Sequence, residues 1–307
     1  MTTRNLFLDA ATIADIESKV DRILSKVDRF RGQVRLEEVR ELLDLDLKYY
    51  SKSNPSAVDH VLHNLKVGAK QVLKDPLLLL KAVTKFDLKA LYVPESKKIY
   101  IDEDLHDIKK RWTEAHEVVH SVIPWHAGYA LGDTKTTLSP ACHEIIEAEA
   151  NFGAGRLLFP QIQFRDFCSS SPASMAALRD VAKVFGNSIT STLWRYVEEC
   201  QSPAFGLISQ HPHTDEAASE VVEYFIRSRS FDTRFAQASE ASLLEHVRRH
   251  CSHRTRGPLG NGEIAITDIN QTRHRFSIDI FCNGHSVLTL GCYIGEIPNS
   301  IFLSSTA

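Results

Sequence analysis

His116, Glu117 and His120 stand in the order H-E-x-x-H within RWTEAHEVVHSVIPWH, residues 111–126. On an α-helix, residues i and i+4 project from nearly the same face, so the two imidazoles can grip one ion. Glu117 is offset by about 100 degrees. That is too far round to join the pair, and suits a carboxylate that holds a water on the metal. Zinc lowers the pKa of such a water to about 7, and the glutamate accepts its proton and passes it to a leaving amine. This is the chemistry of peptide hydrolysis. The bland alternative is two solvated histidines on a surface helix. Val118 and Val119 between the ligands, followed by Val122 and Ile123, argue instead for a buried helix.

A catalytic zinc keeps three protein ligands besides its water, so one more is required. The stretch HEIIEAEANFGAGRLLFP, residues 143–160, offers Glu144, Glu147, Glu149 and His143, and His126 is a further candidate. Cleavage also needs help in stabilising the oxyanion. Tyr129, His126 and Arg111 could give it, although a loop residue and a helix-end surface group are the ordinary readings of Tyr129 and Arg111.

The pairing of R-W-T-x-A-H-E-x-x-H (Arg111, Trp112, Thr113, Ala115, His116, Glu117, His120) with E-x-x-A-N-x-x-A-x-x-L-L-x-P (Glu147, Ala150, Asn151, Ala154, Leu157, Leu158, Pro160) resembles the ImmA/IrrE family of bacterial metallopeptidases. The resemblance covers about residues 85–200. It implies a gluzincin-like site whose third ligand is a glutamate from the second motif, here Glu147. Asn151, one turn along the same face, is suited to orient a ligand from behind. Glu149 points about 160 degrees away from Glu147, so the two cannot share an ion. Glu144, three residues before Glu147 on its face, stays a rival. The chain departs from the family at Val119, where glycine is frequent, at Gly153, where alanine is frequent, and at Phe159, where methionine is frequent. The resemblance further implies a zinc-dependent endopeptidase, with manganese as an alternative activating ion. Its substrate would be a helix-turn-helix transcriptional repressor, cleaved to relieve repression under stress. Two other readings use the same fold: a non-proteolytic DNA-binding regulator, and an antitoxin-like partner of a toxin.

These motifs need helices to carry them. Residues 10–50 read as helical, with Ile13, Ile16, Val20, Ile23 and Leu24 at helical spacing and Leu36, Val39, Leu42 and Leu43 repeating it. A second helical stretch holds Val58, Val61, Leu62 and Leu65. LKALYVP (88–94) and KKIYIDE (97–103) read as a hairpin joined by Pro-Glu-Ser, helix follows over 107–123, and 128–140 reads as loop. Ala141–Leu158 reads as a helix stopped by Pro160. Residues 174–200 resemble a helix-turn-helix, with Gly186-Asn187 at the turn. Its second helix offers only Arg195 to a nucleic acid, so packing against the peptidase core is the expected role. The run 246–262 reads as a basic loop. The end is β-rich, with Phe276, Ile278 and Ile280 alternating and Asn283-Gly284 as a two-residue hairpin signal. H-P-H-T-D at 211–215 puts two histidines on one strand face, a weaker candidate for a second metal.

The expected fold class is therefore α+β. A mainly helical zincin-like core with a small sheet is joined to a helix-turn-helix-like segment and a C-terminal β-rich module. The expected boundaries are 1–84 (N-terminal helical region), 85–165 (peptidase core), 166–210 (helix-turn-helix-like) and 211–307 (C-terminal α+β). A net charge of −3 argues against a protein whose main business is coating nucleic acid without excluding a local basic patch, which leaves direct DNA contact as the lesser reading. The six cysteines form no C-x-x-C pair and read as reduced, mostly buried thiols. No stretch reads as a signal peptide or a membrane span, so the expected setting is cytoplasmic.

Overall fold

After a two-residue strand, β1 (Thr3–Arg4), Asp9 starts the first helix, α1 (Ala10–Leu24). Its carboxylate accepts the amide hydrogens of Ala11 and Thr12, donors that a first turn otherwise leaves unpaired. Ile16, Val20, Ile23 and Leu24 form the buried stripe. The computed structural model describes residues 2–30, 32–50, 89–126, 140–170, 172–213 and 221–298. The helical stretch read at 58–65, nearly all of the loop read at 128–140, and Tyr129 lie outside them.

The helix expected over 10–50 is interrupted. The strands β2 (Arg29–Phe30) and β3 (Gln33–Val34) form a tight hairpin, and α2 spans only Leu36–Leu43. Asp44 then adopts a left-handed conformation (φ 57°) and ends the helix. Beyond that stop, D-L-K-Y-Y forms the strand β4 (Asp46–Tyr50). The helical spacing of Leu36 to Leu43 holds for its own length and says nothing past Asp44, where the tyrosines favour an extended backbone.

The expected hairpin is present as β5 (Ala90–Val93) and β6 (Lys98–Asp102), paired from Ala90↔Ile101 to Val93↔Lys98. A short 3-10 turn at Pro94–Ser96 joins them. β4 pairs parallel to β6, giving the order β4-β6-β5. The central strand is buried from Ile99 to Asp102. Against this sheet lies α3 (Asp107–Val122), and against α3 lies α4 (Pro140–Leu158), the two helices that carry the motifs.

The remaining elements are α5 (Gln161–Ser170), α6 (Met175–Phe185), α7 (Ile189–Glu199), β7 (Ala204–Ser209), β8 (Val222–Arg227), α8 (Arg229–Arg234), α9 (Glu240–His250), β9 (Gly257–Thr267), β10 (Arg273–Cys282) and β11 (Val287–Glu296). The fold is α+β. The chain divides into two compact units. One comprises Leu6–Phe164 with Ala182–Ser188, and the other Met1–Asn5, Arg165–Val181 and Ile189–Ala307.

The second unit is built on a six-stranded sheet in the order β1-β8-β7-β11-β10-β9. Alternation along β7 sends Phe205 and Leu207 to one face and Ala204 and Ile208 to the other. The first face packs Phe225, Phe276, Ile278 and Ile280 against Phe231 and Phe235 and against Leu243, Leu244 and Val247 of α9. The second packs Ile226, Leu288 and Leu290 against Leu178, Leu193 and Val197. So α7, expected on the peptidase core, instead covers a face of this sheet. Arg195, its sole basic residue, is 2% exposed and paired with Glu199 at 2.6 Å, away from any surface that could read DNA.

Two local readings also change. The run 246–262 is not a loop: α9 continues to His250 and β9 begins at Gly257. A Cβ on Gly262 would lie 2.2 Å from the His250 ring, so glycine lets the strand pass close to the helix end. Between β10 and β11 the turn spans residues 283–286 rather than Asn283-Gly284 alone: the Asn283 amide donates to the Ser286 carbonyl at 3.2 Å, and the Asn283 side-chain carbonyl oxygen accepts the amides of His285 and Ser286. Of the described cysteines, Cys251 and Cys282 are buried, Cys168, Cys200 and Cys292 are half-buried, and all five are free. Among the described residues, no helix is long and apolar enough to cross a membrane.

Candidate metal centre

The His106 side chain caps α3 by accepting from the Ile108 amide, and Ala115, Val118 and Val119 bury one side of the helix. Each flank of the H-E-x-x-H turn is therefore fixed by packing. On α4, Ala150, Ala154, Leu157 and Leu158 are fully buried, and small side chains at 150 and 154 let α3 and α4 approach closely. Val119 and Gly153 in this interface compensate one another. A Cβ on Gly153 would meet Val119 Cγ1 at 2.6 Å and Ile16 Cγ2 at 3.2 Å, so valine on one helix requires glycine on the other. Gly153→Ala is expected to destabilise the fold by about 1–3 kcal/mol, and Val119→Ala in the same chain to recover part of that loss. Urea unfolding of the four chains in a double-mutant cycle checks the coupling. Phe159 packs its ring against Phe164 and Phe185, with centroids 5.0 and 5.7 Å away.

The close helices bring His116, His120 and Glu147 together, with one ligand atom from each lying within 4.8 Å of the others. The Nε2 atoms of the histidines are 3.0 Å apart. Glu147 Oε2 is 3.2 Å from His116 Nε2, and Glu147 Oε1 is 3.7 Å from His120 Nε2. A tetrahedral ion with bonds of about 2.1 Å holds its ligand atoms about 3.4 Å apart. The carboxylate meets the two rings through different oxygens, and each separation lies within about half an ångström of that value, so this group can hold a metal ion.

The other candidates separate cleanly. Glu144 is exposed and outside the cluster. His143 is exposed at the rim, 3.8 Å from Glu147. Asn151 places Oδ1 3.1 Å from His116 Nδ1, where it accepts a hydrogen bond and leaves Nε2 turned to the cluster. Glu149 is buried and faces His126 and Trp125, whose ring N–H groups lie 2.9 and 2.6 Å from its Oε2. His126 is buried in turn, with Nδ1 2.9 Å from His120 Nδ1. His126 and Arg111, the two described candidates for an oxyanion, each have other partners. Arg111 donates to the Val34 carbonyl at 2.9 Å and the Asn187 side chain at 3.3 Å, and Asn187 donates to the Leu158 carbonyl. Asn187, at the turn that resembles a DNA-reading motif, is thus a buried clasp for the motif helices.

The charges follow from this geometry. Burial pushes the Glu117 carboxyl up to about 7, opposed by the charge of His116 and a hydrogen bond from the Tyr92 amide. Burial and the neighbouring His116 hold His120 down at about 3, so it is the neutral ring that a metal needs. Burial works against a charge on His116, but the hydrogen bond with Glu147 and the charges of Glu117 and Glu147 outweigh it and raise its pKa. Burial likewise opposes the Glu147 charge, yet contact with His116 brings that carboxyl down to about 2. One proton, on His116, therefore competes with the metal. Metal affinity is expected to fall about tenfold per unit as pH drops below this raised pKa, and to level off above it. The fall begins above the ordinary histidine value of about 6.5, and chelator competition across pH 5–8 checks the slope of one.

In H-P-H-T-D, His211 and His213 hold the carbonyls of Arg254 and Cys251, and Asp215 lies outside the described residues. Among the described residues, His116, His120 and Glu147 are the single group of this kind.

No protein-family model matches the chain, and no curated protein sequence does. Among solved structures, it is similar to a Mycobacterium tuberculosis transcriptional regulator at 12% identity and a TM-score of 0.48, over 93% of this chain and 89% of that one.

Proposed function

We propose that the protein is a zinc-dependent endopeptidase of the ImmA/IrrE type, acting on a helix-turn-helix repressor. The observation that carries the reading is the convergence of His116, His120 and Glu147 beside a buried Glu117. Zinc bound there would lower the pKa of a coordinated water to about 7 and polarise the scissile carbonyl. Glu117, with its pKa near neutrality, accepts a proton from the attacking water and returns it to the leaving amine. Asn151 holds the His116 ring in place. β5 is an edge of its sheet among the described residues, and its Tyr92 amide reaches Glu117. A substrate strand added to that edge would run past the base.

The experiment is to incubate the zinc-loaded protein with helix-turn-helix repressors from the same organism. Cleavage that stops with a chelator and returns with zinc or manganese supports the reading. An intact substrate under all these conditions counts against it.

A further inference from the structure

We infer that Glu149 and His126 form a hydrogen-bonded relay that fixes the tautomer and ring orientation of the metal ligand His120. The inference rests on the metal centre and not on the peptidase reading. A buried His–Glu pair is often no more than packing. Here the donors and acceptors allow little freedom. The Trp125 ring N–H can only donate, and it donates to Glu149 Oε2 at 2.6 Å. A carboxylate oxygen accepts with either lone pair and cannot donate, so His126 Nε2, 2.9 Å from the same atom, carries a proton. With its one proton placed there, His126 presents a bare Nδ1 to His120 Nδ1 at 2.9 Å. His120 must then carry its proton on Nδ1. Its Nε2 keeps a lone pair, and that atom faces His116 Nε2 and Glu147.

His126 cannot be a ligand in this arrangement, because it contacts the far nitrogen of His120. The other histidine is treated the same way by a shorter path. His116 Nδ1–H donates directly to Asn151 Oδ1, at 3.1 Å. One helical run, E-A-E-A-N, therefore supplies the third ligand through Glu147, the acceptor behind His116 through Asn151, and the acceptor behind His120 through Glu149 and His126. Both polar members of the relay are removed from water, His126 at 2% and Glu149 at 6% exposure. In such surroundings a wrong tautomer leaves a buried group unpaired. A carboxylate acting through an imidazole also raises the basicity of the ligand ring.

The test compares zinc affinity, by chelator competition at fixed pH, in the wild-type chain and in Glu149→Gln and His126→Phe. His126→Phe is expected to weaken zinc by about 10–100-fold, with Glu149→Gln falling between it and wild type because an amide oxygen still accepts. Thermal unfolding without zinc separates loss of orientation from loss of fold. A second measurement needs no variant: nitrogen-15 NMR of the metal-free wild type should show His120 protonated on Nδ1. His120 protonated on Nε2, or variants that bind zinc within twofold of wild type, overturns the relay while leaving the centre intact. A wild-type chain that takes up no zinc overturns both.

Discussion

Glu117→Gln is expected to keep its zinc and to lose cleavage by about 10²–10⁴-fold. Glutamine has nearly the shape of glutamate, and Glu117 is not among the three converging ligands, so the metal should be retained. The amide oxygen can still accept from the Tyr92 amide, which keeps the side chain in place. What disappears is the proton acceptor. The measurement is a turnover assay with zinc content determined on the same sample. An active, zinc-loaded Glu117→Gln protein would remove Glu117 from the mechanism.

The second large effect is expected at Glu147. Glu147→Ala removes a ligand outright, so zinc affinity should fall by more than the about 10–100-fold that loss of a supporting partner costs. It also strips His116 of the contact that holds its proton, so the raised pKa of that ring should relax downward. Glu144→Ala, on an exposed position one turn earlier, should bind zinc like wild type. The pair of variants settles which carboxylate closes the site: loss in Glu144→Ala with retention in Glu147→Ala would reverse the assignment.

The parts of the site legible in the sequence are those that follow from helical geometry within one element. The i, i+4 spacing of His116 and His120 is readable because both sit on α3. The same spacing between Glu147 and Asn151 puts ligand and support on one face of α4. The supporting role of Glu149 is not readable. Its distance of two residues from Glu147 excludes a shared ion but does not say what lies opposite. That depends on where the turn after Ile123 places Trp125 and His126, and no local period encodes it. Arg111 and Asn187 illustrate the same limit. A lone arginine near a helix start and a Gly-Asn turn each have ordinary local explanations, and only the folded chain joins them. At the level of the fold, strand alternation of Phe276, Ile278 and Ile280 is visible in the sequence. The strand at 46–50 is hidden because its partner, β6, lies some fifty residues away.

The most direct test of the metal centre is X-ray absorption at the zinc edge of the loaded protein. The expected result is two imidazole ligands at about 2.0–2.1 Å with the remaining positions filled by oxygen, and loss of one carboxylate oxygen in Glu147→Ala. Sulfur scattering near 2.3 Å, or a shell without two imidazoles, would place the metal elsewhere and contradict the assignment of His116, His120 and Glu147.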